Sequence, residues 1–101
     1  MRADKLTLKT REALAEAPAI ALELSQQEVD VEHLLLALIR QSDGIVPRVL
    51  LAMDVSIPKL EENLLAELRS RPRVKGGKTW ISDRVHQAMQ RASKEAEGLT
   101  D

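Results

Sequence analysis

Residues 74–80 read VKGGKTW, and Gly77-Lys78-Thr79 ends as a phosphate-binding loop ends. Such a loop needs G-x-x-x-x-G-K-[ST] between a strand and a helix, so that successive backbone N–H groups surround the phosphates. Counting back from Gly77 puts the first glycine at position 72, which is Pro72. Proline has no N–H to offer, and the sequence shows no strand ahead of it. The stretch therefore reads as a connecting loop, and no nucleotide cofactor is expected on it.

His33 and His86 are the only histidines. A zinc site needs three or four ligands at set spacings, and Glu32-His33 lacks the second histidine of H-E-x-x-H. Without cysteine there is no thiolate ligand, no cysteine nucleophile and no disulfide. Glu61 and Glu62, like Glu95 and Glu97, read as solvated faces rather than a catalytic pair. No catalytic or metal-binding residue is nominated, and the chain reads as a non-catalytic domain. His33 is expected to pack or hydrogen-bond in the first turn of a helix, and His86 to lie on the surface. Between residues 69 and 78 stand Arg69, Arg71, Arg73, Lys75 and Lys78 with no acid. That stretch could meet nucleic acid or an acidic partner. The blander reading is a solvated linker, since the one aromatic beside it, Trp80, is too little for a base-stacking platform.

The elements behind these residues are helical. The chain has 101 residues, the size of one small domain. Its 15 basic and 16 acidic side chains nearly cancel, which argues against broad attraction to nucleic acid or anionic membrane. The longest apolar run, LLLALI at 34–39, is far short of the roughly 20 residues a membrane helix needs. The N-terminus lacks the apolar stretch of a secretory signal. A cytoplasmic location is expected. With one aromatic residue, the core must be aliphatic, which favours packed helices over sheets.

Five helices are predicted. The first spans about 8–24, with Thr7 as N-cap and a kink at Pro18. Its apolar face is Leu14, Ala17, Ala21 and Leu24. The second, 31–41, is capped by Asp30 and apolar on most sides, so it belongs at the centre. The third is short, about 45–53. The fourth follows the Ser56 cap and ends before Pro72. Residues 71–81 are expected to be loop without strand. The fifth begins at Ser82, ends near Gly98 and carries Val85, Met89, Ala92 and Ala96 on one face.

Shifting the chain by 75 residues superposes Thr7 on Ser82, Ala13 on Ala88, Leu14 on Met89, Ala17 on Ala92, Ala21 on Ala96 and Leu24 on Leu99. The chain thus reads as one four-helix unit, residues 1–75 with the start of a linker. Residues 76–101 would hold the rest of the linker and the first helix of a second, incomplete unit. Helices that would cover that fifth helix are expected to be missing; it could lie on the first unit instead, or pack on another chain, directly or by a swap through Gly76-Gly77, and self-association is expected.

MRADKLTLKTREAL, then VDVEHLLLALIRQSDGIVPRVL, then a basic, glycine-containing linker and a second capped helix resemble the N-terminal domain of the Clp ATPases. The MRxDKLT start is most similar to the ClpB-type disaggregases. The resemblance covers the whole chain. Pro18 and the short second repeat depart from the family pattern. It implies an all-α, Clp N-domain-like fold: a four-helix repeat plus the first helix of a second. It also implies a substrate-recognition module that binds exposed apolar segments of unfolded or aggregated polypeptides and hands them to an AAA+ hexamer, with the DnaK chaperone as a partner of the parent protein. ATP would be used by AAA+ modules that are not in this sequence, so no cofactor is implied for the domain itself. By the same resemblance Thr7 would lie at the edge of an apolar groove, with Asp101 at the position of its acid. Leu14 and Met89, equivalent under the repeat, are candidates for the seam between the units, with the core as their alternative home. The alternative function is a small helical nucleic-acid-binding protein using residues 69–78.

Overall fold

Helix-forming, β-branch-poor segments separated by Asp, Gly, Ser and Pro give five helices in the computed structural model. It describes the backbone of residues 2–99 and the side chains of residues 8–95. In chain order the elements are α1 (Arg2–Glu23), β1 (Glu28–Val29), α2 (Val31–Ile39), α3 (Ile45–Ala52), α4 (Ile57–Arg69), β2 (Trp80–Ile81) and α5 (Asp83–Leu99). The fold is all-α in class, as expected.

The centre is α2. Its Leu34, Leu36, Ala37 and Ile39 are all buried, so the helix must be enclosed on several sides. Against it lies α1, whose Ala13 and Ile20 join the cluster around α2, while its Ala17 and Ala21 pack on Val29 and Ile81; the three alanines have no exposed surface. α1 continues through Pro18 without interruption. From the other side Leu68 of α4 and Val85 of α5 enter the same aliphatic cluster. α3 contributes only partly buried side chains and buries none fully.

Two expectations fail here. Thr7 is not the N-cap of the first helix, because α1 already begins at Arg2. Residues 2–6 contain no Gly or Pro, so nothing stops the helix from extending toward the N-terminus past a residue that could have capped it. Nor is the Trp80 segment free of strand. β2 pairs with β1 in parallel, with Glu28 opposite Trp80 and Val29 opposite Ile81. The Trp80 N–H donates to the Gln27 carbonyl at 3.0 Å, and the Ser82 N–H to the Val29 carbonyl at 3.0 Å. Val29 and Ser82 are buried, so backbone groups beside them require partners. A two-residue ladder supplies these, and two residues are too few to show an alternating pattern.

The linker is solvent-exposed over residues 72–78, as expected, yet its backbone is docked. The Val74 N–H donates to the Ser25 carbonyl at 2.7 Å, and Gln27 Nε2 donates to the Gly76 carbonyl at 3.2 Å. Gly76 and Gly77 both have positive φ, 74° and 94°. At Gly77 a Cβ would also collide with the Gln27 amide. Held this way, the loop delivers α5 onto the first unit rather than away from it.

Candidate functional site: a buried charge hub and an open alanine groove

The polar contacts at the start of α5 converge on Asp30. Its Oδ1 accepts from the Val31 N–H at 2.8 Å and from the Ser82 hydroxyl at 2.9 Å. Oδ2 accepts from Arg71 at 3.0 Å and from Arg84 at 3.1 Å. One carboxylate therefore caps α2 and ties down the chain leaving α4 and the start of α5. Ser82 in turn accepts from the Val85 N–H at 3.1 Å, and so caps α5 as expected. Arg71 also pairs with Glu32 at 3.0 Å and Glu67 at 3.4 Å. Burial would raise the Asp30 pKa, but the Val31 N–H, the Ser82 hydroxyl and the two guanidiniums outweigh it and hold it below the usual carboxylate value.

His33 completes a capping box with Asp30. Its Nδ1 accepts from the Asp30 N–H at 2.9 Å. The other ring nitrogen, Nε2, therefore carries the proton and donates to Gln26 Oε1 at 2.8 Å. The Gln26 amide donates to the Leu68 carbonyl, linking the end of α1 to α4. Burial foremost, then nearby Arg71, pushes the His33 pKa down. The ring is a structural hydrogen-bonding group, as its position in the first turn suggested. His86 is exposed. Among the described residues no group of His, Asp and Glu is arranged to hold a metal ion.

The hub leaves one face of α5 open. Ala88 and Ala92 are exposed and, with Val31, floor a groove of about 420 Å³ rimmed by Arg84, Gln87, Arg91 and Glu95. This floor is apolar and its rim is polar, the lining that suits an apolar guest held at a wet surface.

Of the site residues nominated from sequence, Leu14 and Met89 are partly buried and pack against the same aliphatic cluster. Both are core-edge residues, and neither lines the α5 groove. The side chain of Thr7 and all of Asp101 lie outside the described residues. The hub was missed. The sequence marks Asp30 only as a cap and Arg71 only as one of a basic run, because the partners Asp30 and Glu32 of Arg71 lie far away in the chain. The groove residues Ala88 and Ala92 were visible in the repeat, but Val31 and the arginine rim were not.

A family profile described as the Clp repeat (R) N-terminal domain matches residues 5–101. The chain is similar to the chaperone protein ClpB of Bacillus cereus, 37% identical over all of this chain and 12% of that protein. The ClpB of Nitratidesulfovibrio vulgaris is 41% identical over 96% of this chain and 12% of its own length. That of Rhodopirellula baltica is 36% identical over 99% and 12%. The chain spans about an eighth of the length of these relatives.

Proposed function

Since the chain belongs to the Clp N-terminal repeat family and has the N-terminal region of ClpB as its counterpart, we propose that it is the substrate-recognition module of a ClpB-type disaggregase. In this reading it binds exposed apolar segments of unfolded or aggregated polypeptides. ATP is hydrolysed by AAA+ modules outside these residues, in a cytoplasmic hexamer that works with DnaK. The domain itself contributes binding, not chemistry. No helix among the described residues is long and apolar enough to cross a membrane.

The observation that supports this reading is the groove over Val31, Ala88 and Ala92. Alanines on a helix face present apolar surface without bulk, so extended chains with varied side chains can lie against it. Selectivity is low, as a module for many clients requires. The polar rim keeps the free domain soluble.

The test is binding of a permanently unfolded, carboxymethylated model protein to the chain, read by anisotropy. Ala88→Glu with Ala92→Glu is expected to weaken binding at least tenfold while the helical circular dichroism is unchanged. Thr7→Ala is expected to weaken it as well if the family groove extends to α1. Unchanged binding by the double variant would remove the α5 groove from the proposal.

A further inference from the structure

Basic residues 69–78 do not form one continuous positive strip. Arg71 turns inward and is bound by Asp30, Glu32 and Glu67. Arg73, Lys75 and Lys78 remain exposed, with no ion pair among the described residues. They stand on a loop that is anchored rather than loose, through Val74 to Ser25, Gly76 to Gln27 and Trp80 to Gln27. The same loop exposes two apolar side chains, Val74 at 44% and Trp80 at 52%. A fixed loop that shows three uncompensated cations and a half-exposed tryptophan has already met the ordering cost of binding. Tryptophan and arginine are also the residue types most enriched where binding energy concentrates.

Beside Val74 and Trp80 lies a cleft of about 190 Å³, walled by these two with Pro72, Glu28 and Arg71 and floored by Gln26 and His33; Arg73, Lys75 and Lys78 stand outside its lining. Drug-sized ligands fill pockets of about 300–1,000 Å³, so this one suits a single leucine-sized side chain. Its polar floor is already satisfied internally: His33 and Gln26 bond each other, and Gln26 bonds Leu68. A guest therefore gains nothing by offering polar groups to the floor, and gains by filling the apolar walls.

We propose that this cleft and loop form a second docking surface, for a short acidic peptide segment carrying one large aliphatic side chain. The aliphatic group enters between Pro72, Val74 and Trp80, and flanking carboxylates meet Arg73, Lys75 and Lys78. The surface shares no lining residue with the α5 groove, and the proposal does not rest on that groove's role. A peptide fits better than nucleic acid for two reasons. One aromatic side chain provides no stacking platform, and Glu28 on the cleft wall would face a phosphate chain. A peptide can leave a gap in its charge where Glu28 stands.

Trp80 reports on its own site, because the chain has no other tryptophan and no tyrosine. The full chain is titrated with a synthetic peptide of one leucine flanked by glutamates. Trp80 emission is expected to shift to the blue, with an affinity that falls steeply as salt rises. Lys75→Glu with Lys78→Glu, at exposed positions that leave the fold alone, is expected to weaken binding at least tenfold. Replacing the peptide's leucine by serine is expected to weaken it at least fivefold. Equal binding of the serine peptide, or of a lysine-flanked peptide, would overturn the proposal. So would saturation by a single-stranded oligonucleotide where the glutamate peptide leaves Trp80 unmoved, or an emission that no probe shifts.

Discussion

α1 and α5 carry the same alanine stripe, and the molecule treats the two differently. Ala13 and Ala17 have no exposed surface, while Ala88 and Ala92, their counterparts 75 residues on, are exposed. The pattern of small residues is one and the same. What differs is the neighbour: the cluster around α2 takes in Ala13, Val29 of β1 and Ile81 of β2 cover Ala17, and no described element covers the second stripe. An amphipathic face is thus a capacity to be covered, and burial is decided by what arrives there.

The comparison breaks most visibly under a charge. Ala17→Glu forces a carboxylate between α1 and the β1–β2 ladder, against Val29 and Ile81, and is expected to cost at least about 3 kcal/mol, or to prevent folding. Ala92→Glu at the equivalent position of α5 is expected to stay within about 0.5 kcal/mol of the parent. Urea unfolding followed by circular dichroism measures both. Similar costs would mean that α5's stripe is covered after all.

Next comes the hub that holds α5 in place. Asp30→Ala removes the α2 cap and leaves Arg71 and Arg84 without their shared carboxylate. A loss of about 2–3 kcal/mol is expected. Ser82→Ala, which removes the α5 cap alone, should cost about 1 kcal/mol. If the two costs were equal, the arginine pairs would add nothing to the cap.

The docked loop gives a smaller effect. Gly77→Ala meets a φ of 94° and displaces the Gln27 amide from its bond to the Gly76 carbonyl, and about 2 kcal/mol is expected. Gly76→Ala, at φ 74° in open space, should cost about 1 kcal/mol. Thermal unfolding of the pair distinguishes close approach from backbone strain.

The smallest effect is a pH dependence. His33 is held below its ordinary value of 6.5, so the unfolded chain takes up a proton before the folded one does. Its contribution to stability is complete above 6.5 and is lost as pH falls through the lower folded value. Asp30, lowered from 3.8, is linked with the same sign, its contribution being lost in a more acidic window. Denaturant midpoints across these windows should fall in two steps, and His33→Gln should erase the upper one. A single step would assign the dependence to carboxylates alone.

Helix positions, the Asp30, Ser56 and Ser82 caps, the failure of the phosphate-loop pattern and the family were all legible in the residues. Each depends on neighbours within a turn or two, or on a motif. The start of α1 was not legible, because Thr7 is a good cap that nothing obliges the helix to use. The β1–β2 ladder was also invisible, since each strand is two residues long and pairs across more than half the chain.

The sequence by itself determined which segments are helical and which faces are apolar, because those follow from local propensity and from a period of about 3.6 residues. Tertiary structure alone decided which alanine stripe is covered. It also decided that Arg71 leaves the basic run for a buried carboxylate, and that the supposed linker lies fixed against residues 25–29. These outcomes depend on groups that meet only after the chain has folded back on itself, and no local pattern records such meetings.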